Sequence, residues 1–101
     1  MAVLYVVEYA QLGYDPQGPA AVPEQPTLSK QTLPIGGSSV VSAPFQPATK
    51  YVRLHCDAIC SINFGINPVA TTTTERMAAN QTEYSGVPRG AGFQVAVIAN
   101  I

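Results

Sequence analysis

Charge is what this chain has least of. Five basic and six acidic side chains are all the formal charge in 101 residues, where an ordinary soluble domain carries about a quarter. A small globule has much surface for its volume, and that surface needs polar cover. Here the cover has to come from Thr, Ser, Gln, Asn and Gly, or from another protein. A weakly charged surface rich in Ala and Val keeps a lone monomer soluble only poorly. The composition therefore predicts a chain that works in an assembly.

The other scarcities exclude whole classes of function. Lys30, Lys50, Arg53, Arg76 and Arg89 are scattered, and the net charge is −1. Nucleic-acid binders cluster such residues to displace counterions, so no nucleic-acid partner is expected. No apolar run approaches the ~20 residues of a spanning helix, and no membrane partner is expected. The opening Met1–Glu8 lacks the leading positive charge of a secretory signal, so the expectation is a protein made and kept in a cytosol. There is no Trp, one His and only two Cys.

That shortage of ligands and nucleophiles leaves little room for chemistry. A structural zinc site usually needs four ligands in recognisable pairs. His55 and Cys56 are neighbours in an extended segment and point to opposite faces. No metal and no cofactor are expected. Cys56 and Cys60 read first as buried free thiols packing as small hydrophobes, and second as a disulfide across a tight hairpin. His55 and Asp57 are two apart on one strand, and a carboxylate can orient an imidazole. No supporting nucleophile motif such as Gly-x-Ser-x-Gly accompanies them. The carboxylates Glu8, Asp15, Glu24, Asp57, Glu75 and Glu83 form no close pair of glycosidase or metal-binding spacing. Gly36-Gly37 and Gly90-Ala91-Gly92 lack the context of phosphate loops and read as turns. Asn80-Gln81-Thr82 fits the glycosylation pattern by coincidence. The chain is not expected to be an enzyme, and no residue is assigned a catalytic role.

What is present is strand signal. Nine prolines and eight glycines leave few windows of helical length, and one short helical turn is allowed around Glu75–Ala79. Val3–Tyr9 is branched and aromatic on both faces, with Leu4, Val6 and Glu8 on one of them. Thr27–Ile35 and Ser38–Phe45 read as strands, the latter ending near an edge at Pro44. Lys50–Asp57 alternates most cleanly, Val52, Leu54 and Cys56 against Tyr51, Arg53, His55 and Asp57. Ile59–Phe64 follows so closely that an antiparallel hairpin through Asp57-Ala58 is expected. Thr82–Val87 and Phe93–Ala99 complete the set, and Thr71–Thr74 reads as an exposed loop. About seven or eight short strands separated by Gly, Pro and Asn turns predict an all-β fold, an antiparallel β-sandwich of jelly-roll type. One domain, 1–101, is expected, with a Pro-rich extended segment at about 13–34. Pro16, Pro19, Pro23 and Pro26 keep its first half out of any central strand. The segment reads equally as a linker and as an arm laid across a partner.

Tyrosine, five times present, suits protein interfaces, where the ring is buried and the hydroxyl stays bonded. An exposed tyrosine platform could also hold sugar. The candidate interface residues are Leu4, Tyr5, Val6, Tyr9, Tyr14, Tyr51, Arg53 and His55.

Three stretches carry a resemblance: Leu4–Tyr9, Tyr51–Gly65 and Arg76–Pro88. Together they resemble small proteins encoded by tailed bacteriophages beside the capsid genes, of the head decoration (cement) kind. The resemblance covers most of the chain and is one of pattern, with no binding motif to transfer. It implies a virion structural protein on the capsid exterior, made in the host cytoplasm. The fold it implies is a small β-sandwich or jelly roll, assembled as a homotrimer. Its partners would be its own copies and the major capsid protein. The alternative reading is a carbohydrate-binding β-sandwich module of a phage fibre or tail.

Overall fold

The structure, a computed structural model, describes residues 2–10, 12–15, 18–23 and 28–100, with side chains outside 12–15 and 18–23. The described chain is all β. Its strands are β1 (Val3–Tyr9), β2 (Leu12–Asp15), β3 (Gly18–Pro23), β4 (Ser29–Pro34), β5 (Val40–Val41), β6 (Tyr51–Cys56), β7 (Cys60–Gly65), β8 (Glu75–Met77), β9 (Thr82–Gly86) and β10 (Gln94–Ala99). Eight of them build two four-stranded sheets, β4-β1-β6-β9 and β5-β10-β7-β8, and β2 and β3 pair separately. All pairings are antiparallel.

The two strand orders have a simple reading. In an eight-stranded jelly roll the last strand lies between the first and the third, and the chain passes repeatedly between two sheets. Counting from β4 and placing β1 last reproduces that order in both sheets. The first strand of this chain thus stands where a jelly roll has its last. The ends of the order meet where this requires. Ile35 N–H donates to Ala2 C=O at 3.0 Å, and Ala99 N–H donates to Gly36 C=O at 2.8 Å.

Alternation along the strands makes the core. In β6, Val52, Leu54 and Cys56 are fully buried, while Tyr51, Arg53 and His55 on the other face are half-buried. Leu4 and Val6 from β1, Ile62 and Cys60 from β7, Met77 from β8, and Val95 and Val97 from β10 join the same cluster. Phe45 and Phe64 meet in a tilted pair at 6.5 Å between ring centroids, a favoured aromatic geometry.

Three expectations need correction. β6 and β7 do not form a hairpin. β6 pairs with β1 and β9, while β7 pairs with β10 and β8. The Asp57–Ile59 link instead carries the chain from one sheet to the other, because the apolar faces of the two strands must oppose each other to close the core. Glu75–Met77 is a strand and not a helical turn, since its backbone pairs with Cys60–Ile62. Ser38–Phe45 shrinks to the two residues of β5. Beyond them the chain still follows β10, through Ser42 N–H to Val95 C=O (2.8 Å) and Phe45 N–H to Phe93 C=O (2.9 Å), but Pro44 has no N–H to continue a ladder.

Of the Pro-rich stretch at about 13–34, the first part holds β2 and β3 and the last part is the edge strand β4. Leu12 pairs with Pro23 and Tyr14 with Pro19. Proline is tolerated there because each strand of a lone ribbon keeps one unpaired edge.

Candidate interaction face

The outer faces of the two sheets differ. That of β5-β10-β7-β8 is covered by its own chain. After Gly65 the segment to Thr74 lies across it, held by Asn67 N–H to Gln94 Oε1 (3.0 Å), Asn63 Nδ2 to Val69 C=O (3.2 Å) and Ala70 N–H to Ser39 Oγ (2.9 Å). Asn67 takes a left-handed φ of 51° at this crossing, which Asn tolerates better than other side chains. Asn100 Nδ2 closes the cover with bonds to Ser61 Oγ (2.8 Å) and Thr72 C=O (3.3 Å). Beneath it Ser61 and Ala96 are wholly shielded, although they alternate away from the core. Ile66 and Val69 stand exposed on the covering segment.

No described segment crosses the outer face of β4-β1-β6-β9 in this way, and apart from Tyr9 its side chains are half-buried or exposed. Register places Tyr5 beside His55 and Arg53 beside Tyr84. Tyr5 is 41% and Tyr84 55% exposed. The rings of Tyr5 and His55 lie 6.3 Å apart at 42°, and His55 Nδ1 shares a 2.7 Å hydrogen bond with Thr82 Oγ1. At one end Lys50 Nζ sits 6.0 Å over the Tyr51 ring, a cation–π distance. Lys30 on β4 belongs to the same face by alternation, opposite Val7.

The sheet's two carboxyl groups turn the other way. Glu8 is fully buried on the inner face with Leu4 and Val6. Its Oε1 accepts from Gln46 N–H at 2.8 Å and Thr49 Oγ1 at 2.7 Å, and its Oε2 from Gln31 Nε2 at 3.3 Å. Gln31 Oε1 in turn accepts from Ala43 N–H at 2.9 Å. One carboxyl thus ties the central strand to the edge strand β4 and to the turn that precedes β6. Burial of so polar a group is tolerable because both oxygens are bonded.

Glu83, opposite Leu54 on β9, also faces inward. Glu75, opposite Ile62 on β8, does so from the other sheet. The two carboxyls meet across the open edge between the sheets. Hydrogen bonding to Glu75, with burial and the Glu75 charge behind it, pushes Glu83 up from 4.5 to about 7. Glu83 Oε2 is shielded from solvent without a donor, and a proton shared between the two groups supplies one. This pair escaped the sequence because the strands that bring it together are in different sheets.

The candidate interface residues therefore divide. Tyr5, Tyr51, Arg53 and His55 come together on the open face. Leu4 and Val6 are wholly inside the core and present nothing to a partner; Tyr9 alternates onto the other face of β1, opposite Tyr51, but is only 6% exposed. Tyr14 lies in β2, outside the described side chains. Asp57 is exposed just beyond β6 and His55 bonds Thr82, so the two do not form a hydrogen-bonded pair. Cys56 and Cys60 are free, buried and on facing sheets, with Cys56 Sγ donating to Ala78 C=O at 3.0 Å. Among the described residues, no three His, Cys, Asp or Glu side chains converge as a metal site would need. Among the described residues, no helix is long and apolar enough to cross a membrane. Set against known families, characterised proteins and solved structures, the chain matches none.

Proposed function

We propose that this chain is a structural subunit of a bacteriophage virion, a decoration protein that binds the head shell and stabilises it. The observation behind this reading is the open face of the β4-β1-β6-β9 sheet. It is broad, rich in tyrosine and poor in charge, on a chain whose other face is covered by its own residues. Such a surface has the make-up of a protein interface, where aromatic residues and Arg are enriched and most charge is depleted. A shell presents many copies of one site, so modest contacts add up when the subunit binds as an oligomer. The reading involves no catalysis, no cofactor, no nucleic acid and no membrane; the partners are sister copies and the major capsid protein. Co-sedimentation with empty capsids tests it. Binding that saturates at a fixed ratio to capsomers, and is lost in Tyr5→Ala/Tyr84→Ala, is the expected result. Protein left in the supernatant at every concentration refutes it.

A second reading rests on the same two exposed rings. Tyr5 and Tyr84 beside Arg53 and His55 could stack on a sugar, as in a carbohydrate-binding module of a fibre or tail. Glycan-array binding by the isolated protein, lost in Tyr84→Ala, would favour this reading over the first.

A further inference from the structure

We propose that β9, an edge strand of the open sheet, pairs antiparallel with β9 of a second copy about a two-fold axis at Tyr84, joining two four-stranded sheets into one of eight. Val87 N–H donates to Lys50 C=O at 2.9 Å, and Cys56 N–H donates to Gln81 C=O at 3.3 Å. Peptide groups alternate in direction along a strand, so Glu83 and Ser85 direct theirs at β6. Thr82, Tyr84 and Gly86 turn their N–H and C=O groups outward, and all three residues are exposed. Among the described residues, no backbone group bonds to that outer row. Such a row is a template for another strand.

The other sheet edges are guarded. β4 ends at Pro34, which has no N–H, and carries the exposed Lys30; both discourage pairing. β5 is two residues long and β8 three, and very short edge strands hold a partner poorly. β9 has five residues and contains neither Pro nor Lys. Its one guard is the inward Glu83, and that carboxyl hydrogen-bonds Glu75 of the facing sheet instead of standing as a bare charge.

Side chains select the register and the partner. With Tyr84 opposite Tyr84 of the second copy, Thr82 meets Gly86 and Glu83 meets Ser85, so every outward residue of β9 finds a partner. Moving the axis to Glu83 would set two carboxyls directly opposite, which is destabilising. Moving it to Ser85 would set Thr82 against Pro88, which has no N–H. The strand is thus complementary to itself, as a two-fold contact requires, and the two Tyr84 rings make a favourable cross-strand pair. This contact deepens the assembly reading above, on which it rests, and makes dimers where the resemblance implies a homotrimer. Its test needs no capsid, so its failure is separable from a failure of shell binding.

Light scattering and sedimentation on the full chain should show a reversible dimer. Gly86→Pro and, separately, Thr82→Pro remove outward N–H groups that β6 does not use, and a Cβ at Gly86 meets nothing nearer than the Lys50 carbonyl oxygen at 3.9 Å. Each should weaken dimerisation at least about tenfold, with circular dichroism confirming that the variant is folded. Cysteine cross-linking gives a second readout that needs no proline. Under glutathione disulfide, Tyr84→Cys should yield a covalent dimer, and Tyr5→Cys, two strands in from the edge, should not. A wild type that is monomeric or trimeric at high concentration overturns the proposal. So do folded proline variants that dimerise as tightly as the wild type, or a Tyr84→Cys variant that cross-links no faster than Tyr5→Cys.

Discussion

Glu8 is the residue on which most of the polar interior depends. A carboxyl at the centre of a strand, fully buried, is stable here because donors from residues 31, 46 and 49 reach it. Alternation alone places it with Leu4 and Val6. It cannot show that a backbone amide and a threonine hydroxyl lying some forty residues further along will be waiting. Glu8→Gln keeps the shape but turns an amide against Gln31 Nε2, which donates to it now. A loss of about 1–3 kcal/mol in urea unfolding is expected, with the slope unchanged. Glu8→Ala should cost more, because Gln46 N–H and Thr49 Oγ1 would be left buried and unpaired. The cysteines make a second residue-scale case. Burial, then the neighbouring Cys56, pushes the Cys60 thiol up from 9.0 to about 12. A thiol reacts as its thiolate, so Cys60 should resist a thiol reagent at neutral pH until the protein is unfolded in denaturant. Prompt labelling of the native chain would contradict the burial described.

At the scale of strands, the legible elements were those whose own residues alternate. β6 shows its inner and outer faces in six letters, and β10 and β1 nearly as well. The β6–β7 connection was misread because three linking residues suit a hairpin and a sheet-to-sheet crossing alike. The choice between them is made by β1 and β10, which occupy the pairing edges and come from the two ends of the chain. β8 was hidden for the same reason, since Glu75-Arg76-Met77 has no strand pattern without Cys60–Ile62 beside it. The edge strands β8 and β9 carry the clearest pH dependence. Inward-facing charge on edge strands discourages pairing with other chains, but here two such charges face each other. Because the folded Glu83 holds its proton up to about pH 7 and an ordinary Glu releases it near 4.5, the native state binds the extra proton between those values. Stability should therefore fall as pH rises through that window. Melting temperatures measured from about pH 5 to about pH 8 should decline, and Glu83→Gln should flatten the decline. An equal slope in the variant would remove the carboxyl pair as its cause.

Taken as a whole, the molecule is a two-layer sandwich whose type could be read from its turns and alternation, while its order of strands could not. Placing β1 in the position of a jelly roll's final strand depends on contacts between the two ends of the chain, and no local pattern encodes them. The arrangement makes its own prediction. Since Ala2 and Ala99 are bonded to the consecutive residues Ile35 and Gly36, a short Gly-Ser link could join the ends of these residues, with the chain reopened between β3 and β4. This circular permutant should fold to the same sandwich, with a far-UV spectrum like the parent's and a cooperative melt. A permutant that fails to fold while the parent does would count against the strand order.

The strands also give the body a polarity. β1 runs from Val3, next to Ala2 at one pole, to Tyr9 at the other, where Leu28 N–H and Lys50 N–H donate to the carbonyls of Glu8 and Tyr9 and the chain leaves for the ribbon. Whatever is attached beyond Ala99 is therefore held near the Ala2 pole, a full strand's length from Tyr9. A dye or an epitope grafted there should leave the opposite pole, where β1 hands the chain on, undisturbed.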